Sequence, residues 1–220
     1  MDKLLSHGLS PRRRLLLIGA PGTGKTMSAS VLAGELALPL FVVRLDALIT
    51  RFMGETAAKL RLIFDAIEQT RGVYLFDEFD SIGSQRGMPN DVGEIRRVLN
   101  SFLQFIEQDA SDSLILAATN HPDLLDYALF RRFDDVIEYA LPSAELVMQA
   151  LQAKLAGRHP LDSFDWQGVC EAAVGFNFAD IQRACDEALK DVILEDRDHL
   201  EEGDILKHLA ERRGLHGRQR

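Results

Sequence analysis

The chain has 220 residues, of which 46% are hydrophobic and 27% are charged, so it is long enough to bury a sizeable core in a main domain with a smaller second one. Its formal net charge of -9 and its pI near 5.2 argue against a nucleic-acid partner held by attraction over the whole surface. No apolar run is long enough to span a membrane and no secretory signal pattern is present, so we expect a cytoplasmic protein with no membrane partner.

The short basic runs and the two cysteines further limit the kinds of binding site that we expect. We interpret the short basic runs "PRRR" at 11–14 and "ERRGLHGRQR" at 211–220 as solvated surface rather than as nucleic-acid contacts. The two cysteines, Cys170 and Cys185, have neither CxxC spacing nor a histidine pattern typical of a metal site. Cys185 falls on an apolar stripe at helical spacing, which predicts a buried structural position.

Up to about residue 141, apolar strands alternate with amphipathic helices. Five short apolar runs, each typical of a strand buried on both faces, lie at 14–18, 40–45, 72–77, 113–118 and 135–140. Between them, apolar residues recur at helical spacing at Leu60, Ile63, Phe64 and Ile67, and again at Ile95, Val98, Leu99, Phe102 and Ile106. This order predicts an α/β domain over 1–141, with a doubly wound parallel sheet.

The character of the chain changes after "LPSAE" at 141–145, where the strand pattern ends. Helical patterns cover 143–156, 164–173, 178–195 and 203–213, and turn residues separate them. The segment 142–220 is therefore predicted to be a small all-helical domain.

The segment "LLLIGAPGTGKTMSAS" at 15–30 joins the first predicted strand to a helix through a glycine-rich turn. Its Gly19, Gly24, Lys25 and Thr26 have the spacing of a phosphate-binding loop, in which backbone N–H groups and the positive end of the helix converge on phosphate oxygens. We expect Lys25 to reach the β- and γ-phosphates and the Thr26 hydroxyl to bind Mg²⁺. The alternative is a glycine-rich turn with a surface lysine.

Carboxylates and an amide follow two later strands. "VYLFDEFD" at 73–80 brings Asp77 and Glu78 to the carboxyl end of a buried strand, where α/β sheets bind their ligands. Asp77 is suited to holding Mg²⁺, and Glu78 to accepting a proton from the attacking water or orienting it. The apolar strand in "SLILAATN" ends in Asn120, whose amide can align that water from the opposite side of the γ-phosphate.

The segment "LFRRFDD" contains the adjacent Arg131 and Arg132. An arginine aimed at the γ-phosphate spreads the charge that develops there and contributes on the order of 10³- to 10⁵-fold in rate. The alternative is a salt bridge or a solubilising pair on a surface loop.

Taken together, these segments resemble the AAA-type (AAA+) ATPase family over nearly the whole chain, from Arg14 to about Arg213. "GAPGTGKT" resembles the Walker A motif, "YLFDEFDSIGSQRG" Walker B and the segment after it, "AATNHPDLLDYALFRRFD" the second homology region, and "GFNFADIQRACDEAL" the sensor-2 helix. The resemblance implies a P-loop NTPase domain followed by a helical lid, with ATP and Mg²⁺ bound and ATP hydrolysed between the subunits of a homo-oligomeric ring, usually of six.

The same resemblance implies roles for individual residues. Asn120 corresponds to sensor 1, while Arg131 and Arg132 would act in trans on the ATP of a neighbour. The residues that would contact the nucleotide are Gly19, Ala20, Pro21, Gly22, Thr23, Gly24, Lys25, Thr26, Met27 and Ala179.

The segment "ITRFMGETAAK" matches the position at which the family carries a pore loop that grips an extended polypeptide. Phe52, Met53 and Gly54 match its aromatic, apolar and glycine positions, and an exposed aromatic offers a large contact area with few rotors. This match implies a protein substrate. The alternative is that Phe52 is a core residue ahead of a helix starting near Glu55.

The chain departs from the family in three ways. Its two arginines are adjacent, which leaves open which of them reaches the phosphate, and Phe178 stands before Ala179 where the family has glycine. Only eighteen residues precede Gly19, so the chain is expected to be a fragment or to have an incomplete adenine pocket.

Three functions stay open. The leading one is a protein remodeller or unfoldase driven by ATP. The others are a nucleic-acid-associated AAA+ ATPase, such as a loader or transposition regulator, and a nucleotide-gated scaffold with little hydrolysis.

Overall fold

The computed structural model describes residues 4, 6–9, 11–48, 55–79, 91–125, 127–156 and 164–217. The chain divides into two compact units. The first comprises Met1–Gly19 and Lys25–Tyr139, and the second comprises Ala20–Gly24 and Ala140–Arg220. The short turn 20–24 is thus grouped with the C-terminal helices, although it lies between a strand and a helix of the first unit.

The first unit is built on a five-stranded parallel sheet. Its strands are β1 (Arg14–Gly19), β2 (Leu40–Arg44), β3 (Val73–Asp77), β4 (Leu114–Thr119) and β5 (Asp135–Tyr139), in the order β2-β3-β4-β1-β5. The five strands lie where the sequence predicts them, to within one residue at each end. The predicted α/β parallel sheet is therefore confirmed.

Successive side chains of the central strands point to opposite faces of this sheet, and helices cover both faces. Leu16 of β1 and Phe76 of β3 pack into one apolar cluster, while their neighbours Leu17 and Leu75 pack into another. The helices of the unit are α1 (Lys25–Glu35), α2 (Leu45–Leu48), α3 (Glu55–Gln69), α4 (Asp91–Gln108) and α5 (Tyr127–Phe130), with a 3₁₀ turn at Pro122–Leu124. Residues of α3 and α4 fill the first cluster, and residues of α1 fill the second.

The described residues of the second unit, 140–156 and 164–217, form four helices, as the sequence predicts. They are α6 (Ala144–Leu155), α7 (Trp166–Ala173), α8 (Phe178–Leu194) and α9 (Glu202–Gly217). Ser143, Asp165 and Asn177 begin the first three of these helices, and each side chain accepts a hydrogen bond from a backbone N–H in the first turn. Cys185 is fully buried in the core of this unit, which confirms the structural position predicted for it.

The basic run at 11–14 is bound to aspartates rather than exposed to solvent along its length. The Arg13 guanidinium, with 17% of its side chain exposed, forms an ion pair with the buried Asp109. The backbone N–H groups of Arg13 and Arg14 donate to Asp134 Oδ2 at 2.8 and 3.0 Å, and Arg12 pairs with Asp135. The interpretation of this run as solvated surface is therefore wrong for Arg13 and Arg14.

Within the described part of the chain, helices that combine the length and the apolar character needed to cross a membrane do not occur.

Candidate functional site

Several of the predicted site residues lie at the carboxyl ends of three neighbouring strands. Gly19 ends β1, Asp77 ends β3, and Asn120 follows β4, which lies between these two strands in the sheet. Lys25 and Thr26 begin α1, which the turn after β1 connects to the same edge. Because the carboxyl ends of parallel strands share one edge, residues far apart in sequence form a single group there.

Lys25 is at the centre of this group. Its side chain is buried, with only 6% of the residue exposed, and its Nζ donates hydrogen bonds to Gly19 O at 2.7 Å and to Asn120 Oδ1 at 2.8 Å. A buried ammonium is costly unless it is hydrogen-bonded, so these two oxygens hold the charge where the phosphate-loop pattern predicts it. The sequence predicts both Lys25 and Asn120 for the site, but not the direct contact between them.

Thr26 and Asp77 provide two oxygens suited to a hard divalent cation. The Thr26 hydroxyl donates to Asp77 Oδ2 at 2.9 Å, which joins the start of α1 to the end of β3. Mg²⁺ commonly binds to one or two such protein oxygens and takes its other ligands from water and phosphate. Among the described residues, groups of three or more His, Cys, Asp or Glu that could hold a metal unaided are absent. The two oxygens of Thr26 and Asp77 match the small number of protein ligands that Mg²⁺ takes when water and phosphate provide the others.

Glu78 has a strained backbone. Its φ of +56° lies in the left-handed region, which is uncommon for residues other than glycine, and its N–H donates to Asp77 Oδ1 at 2.9 Å. Such strain occurs at functional sites, where the surrounding structure maintains it. The next residue, Phe79, is fully buried, and its N–H donates to Ala118 O of β4 at 2.9 Å, which fixes the chain just beyond Glu78.

Arg44 is a residue of this edge that the sequence reasoning missed. It ends β2, where it is in register with Asp77, and its Nη2 lies 3.6 Å from Glu78 Oε2. Both side chains are substantially exposed, so the pair contributes little to stability. A charged residue at the end of a predicted buried strand is the signal that could have identified it.

The turn after β1 is shaped by glycines at two close approaches. A Cβ on Gly19 would lie 2.3 Å from Tyr139 O of β5, so a side chain at this position would collide with the backbone. Gly22 has a φ of +74°, and a Cβ there would lie 2.7 Å from Asn177 Oδ1 at the start of α8. Gly22 O accepts a hydrogen bond from the Ala179 N–H at 3.2 Å. The structure thus brings two predicted nucleotide contacts, Gly22 and Ala179, together within the second unit.

The other predicted contacts in this segment differ in exposure. Thr23 is buried, and its hydroxyl donates to Ala20 O at 2.8 Å, so its side chain braces the turn from inside. Pro21 is exposed at the turn, and Met27 is 59% exposed on α1.

Arg131 and Arg132 do not join the group around Lys25. They lie immediately before β5, where the N–H of Asp134 donates to Arg14 O at 2.8 Å and Asp135 is in register with Leu15. This is the starting edge of the strands, whereas Lys25 lies beyond the end of β1. Because β1 has six residues, the two edges are roughly 17 Å apart along the strand.

The predicted pore-loop residues Phe52, Met53 and Gly54 lie outside the described residues.

Comparison with known proteins agrees with this architecture. Residues 15–141, which is more than half of the chain, match the family model described as "ATPase family associated with various cellular activities (AAA)". The matched range extends from β1 to just beyond β5 and includes Lys25, Thr26, Asp77, Glu78 and Asn120.

Relatives of the chain occur in bacteria and plants. An uncharacterized AAA family ATPase of Sinorhizobium fredii is 38% identical over 210 residues, which cover 96% of this chain and 63% of the relative. The 26S proteasome regulatory subunit 10B homolog A of Arabidopsis thaliana is 33% identical, with 94% and 53% covered. The ATP-dependent zinc metalloprotease FtsH 1 of Methylacidiphilum infernorum is 34% identical, with 88% and 31% covered.

The chain thus spans between about a third and two thirds of the length of these relatives. The family match, the parallel sheet and the group of side chains at its carboxyl edge agree with one another, and the chain belongs to the AAA family of ATPases.

Proposed function

We propose that this chain binds ATP with Mg²⁺ at the carboxyl edge of its sheet and hydrolyses it to ADP and phosphate. The observation behind the proposal is the hydrogen-bonded group formed by Lys25, Thr26, Asp77 and Asn120. The start of α1 and the carboxyl ends of β3 and β4 contribute to it, and each of its members has a role in phosphoryl transfer to water.

Different residues of the chain bind the phosphates, hold the metal and orient the attacking water. The backbone N–H groups of the turn 19–24 and the ammonium of Lys25 bind the phosphates. Thr26 and Asp77 would hold Mg²⁺, which neutralises charge on the phosphate oxygens when it is bound. Asn120 orients the attacking water, and Glu78 orients that water or accepts its proton.

We propose that the active species is a homo-oligomeric ring in which arginines complete the site of a neighbouring subunit. The separation of roughly 17 Å between the two edges of the sheet supports this, because an arginine before β5 is too far from Lys25 of the same chain. An arginine in trans contributes on the order of 10³- to 10⁵-fold to phosphoryl transfer, so a lone subunit would be nearly inactive.

We propose a protein as the substrate of this ring. The match of Phe52, Met53 and Gly54 to a pore loop supports the proposal, as do relatives named as a proteasome regulatory subunit and a metalloprotease. The thiols of Cys170 and Cys185, both buried in the core of the helical unit, fit a reducing compartment such as the cytoplasm. The basic run at 12–14 gives the nucleic-acid alternative little support, because the Arg12 and Arg13 guanidinium groups pair with Asp135 and Asp109 and the Arg14 guanidinium donates to the backbone O of Asp109.

The test is ATP turnover per subunit as a function of protein concentration. The control is Glu78→Gln, which keeps the phosphate-binding group and removes the carboxylate. We expect turnover per subunit to rise steeply with wild-type concentration and to stay at background for Glu78→Gln. Turnover that equals the control at all concentrations would contradict hydrolysis, and turnover independent of concentration would contradict the ring.

The choice of substrate has its own test. We expect an unfolded protein to stimulate turnover and duplex DNA to leave it unchanged. Stimulation by DNA alone would favour the nucleic-acid-associated alternative.

A further inference from the structure

The turn 20–24, to which the proposed function assigns phosphate binding, packs against the start of α8. Gly22 O accepts a hydrogen bond from the Ala179 N–H, and a Cβ on Gly22 would lie 2.7 Å from Asn177 Oδ1 and 2.9 Å from the Ala179 Cβ. The turn and the helices of 140–220 belong to one compact unit. The conformation of the turn therefore depends on how the first turn of α8 is held.

Arg213 of α9 holds the connection that leads from α7 into α8. Its Nη2 donates to Ala172 O at 2.6 Å and to Val174 O at 3.2 Å, which are carbonyls at the C-terminal end of α7. Its guanidinium carbon lies 5.3 Å from the centre of the Phe176 ring, which is buried. The last carbonyls of a helix lack partners within the helix and carry partial negative charge, so a cation there satisfies them and fixes how the helix ends.

The preceding residue, Arg212, holds the other side of the same connection. Its Nη1 lies 3.4 Å from Asp180 Oδ1, and both side chains are largely buried. The Asp180 N–H donates to Asn177 Oδ1 at 2.8 Å, so the side chain that lies against Gly22 also caps α8. Two adjacent arginines of α9 thus hold both sides of the connection 174–177.

We propose that Arg213 is a positioning residue for the phosphate-binding turn. By holding the connection 174–177 it sets the positions of Asn177 and Ala179, against which the Gly22 backbone packs, and so sets how tightly the turn binds the phosphates of ATP. This inference rests on the proposed function, since it needs ATP at the turn. Arg213 is exposed, so we expect its loss to cost little in stability and to show mainly in the affinity for ATP.

The first experiment measures ATP affinity by calorimetric titration with ATP and Mg²⁺. The parent is the 220-residue chain with Glu78→Gln, which keeps the phosphate-binding group and removes the carboxylate needed for hydrolysis. Arg213→Ala should weaken ATP binding by about 5-fold or more, because the turn loses a support. Arg213→Lys should stay within about 3-fold of the parent, because an ammonium can donate to the same two carbonyls.

The matched control is Lys190→Ala, which removes an equal charge from the surface of α8. Lys190 pairs with Glu187 at 2.8 Å and lies roughly 20 Å along the helix from Asn177. We expect this variant to bind ATP as tightly as the parent. A loss equal to that of Arg213→Ala would mean that net charge, and not the support of the connection, sets the affinity.

The second experiment tests whether Arg213 acts through the contact with Gly22. Asn177→Ser keeps a cap for α8 but has a shorter side chain, which withdraws from Gly22 and should itself weaken ATP binding. If both residues act through this contact, adding Arg213→Ala to Asn177→Ser should weaken binding by less than about 2-fold further. A further loss as large as that of Arg213→Ala alone would mean that Arg213 acts by another route, which would overturn the inference.

The outcomes separate the inference from the proposed function. If the Glu78→Gln parent does not bind ATP, the proposed function is wrong and this inference falls with it. If the parent binds ATP and Arg213→Ala binds it as tightly, ATP binding stands and the positioning role is wrong. A lower melting temperature of Arg213→Ala with unchanged affinity would leave Arg213 a role in stability alone. Equal losses in Arg213→Lys and Arg213→Ala would also contradict the inference, because the lysine still serves the two carbonyls.

Discussion

At the scale of single residues, the contact between Lys25 and Asn120 links binding chemistry to stability. A buried ammonium with oxygen partners from Gly19 and Asn120 is tolerated because those oxygens replace water. Removing one partner of a buried charged group costs more than the bond itself contributes, since the remaining group stays desolvated.

We therefore predict that Asn120→Ala destabilises the nucleotide-free protein by about 1–3 kcal/mol, measured by urea unfolding. The control is Asn100→Ala, an exposed asparagine on α4, which should change the unfolding free energy by no more than about 0.5 kcal/mol. Adding nucleotide should narrow the difference between Asn120→Ala and wild type, because phosphate oxygens provide the ammonium with new partners. Equal effects of the two substitutions would mean that the Lys25–Asn120 bond adds nothing to stability.

Local sequence identifies the candidate site residues but not the contacts between them. Lys25, Asp77 and Asn120 each stand at the end or start of an element, and such positions can be recognised from hydrophobic patterns and glycines alone. The pairing of Arg13 with Asp109 joins positions that are 96 residues apart. It depends on which strands are neighbours, and local patterns contain no information about strand order. The misinterpretation of the basic run has the same cause, whereas Arg44 could have been identified locally as a charged residue at the end of a predicted buried strand.

At the scale of elements, the central strands were predictable because they are buried on both faces. A strand of this kind is a short continuous apolar run, which is a strong signal when helical patterns alternate with it. The order β2-β3-β4-β1-β5 is not contained in those runs, and it is this order that places Asn120, after β4, between the end of β3 at Asp77 and the end of β1 at Gly19. The distance of Arg131 and Arg132 from Lys25 also follows from strand register, which became known only with the structure.

In the helical unit, α8 and α9 are joined by charged contacts around one aspartate. Lys207 Nζ and His208 Nε2 each lie 2.9 Å from Asp191 Oδ2. Hydrogen bonds from Lys207 and then from His208 lower the pKa of Asp191 below its usual value. A second lowered pKa belongs to Asp204 of α9. Burial alone would raise the pKa of this carboxyl, but hydrogen bonds outweigh that effect, the largest being the one from Arg197, so the pKa is lowered.

The lowered pKa values of Asp191 and Asp204 determine the direction in which stability changes with pH. The folded state binds fewer protons than the unfolded state near the pKa of these carboxylates, so their stabilising contribution is present above about pH 4 and is lost as the pH falls below it. We predict that the melting temperature falls on acidification through this range and that Asp191→Asn reduces the fall. The control is Asp198→Asn, an exposed aspartate between α8 and α9, which should leave the slope unchanged. An Asp191→Asn protein with the wild-type pH profile would contradict this role.

At the scale of the whole molecule, ATP turnover and action on a protein substrate should be separable by mutation. Phe52 lies outside the described residues, and its pore assignment rests on the sequence match. We predict that Phe52→Ala leaves ATP turnover largely intact and abolishes processing of an unfolded protein, because the loop would grip the substrate rather than bind nucleotide. Phe52→Tyr is the matched control, since it keeps an aromatic ring and should retain processing. If processing survives in Phe52→Ala, the pore assignment is wrong.

The positions of the site and of the arginines at opposite edges of the sheet would determine how many complete active sites the proposed assembly has. In the proposed ring, one edge of each subunit would offer an arginine to the site at the other edge of its neighbour, so the contact between subunits would run head to tail. A row of subunits joined in this way has two unlike ends, one with an unused arginine and one with an uncompleted site. Only closure of the row removes both ends at once. In the proposed ring, a subunit that binds its neighbours but lacks both Arg131 and Arg132 would therefore silence a site that is not its own, and the loss would appear one position further around the assembly.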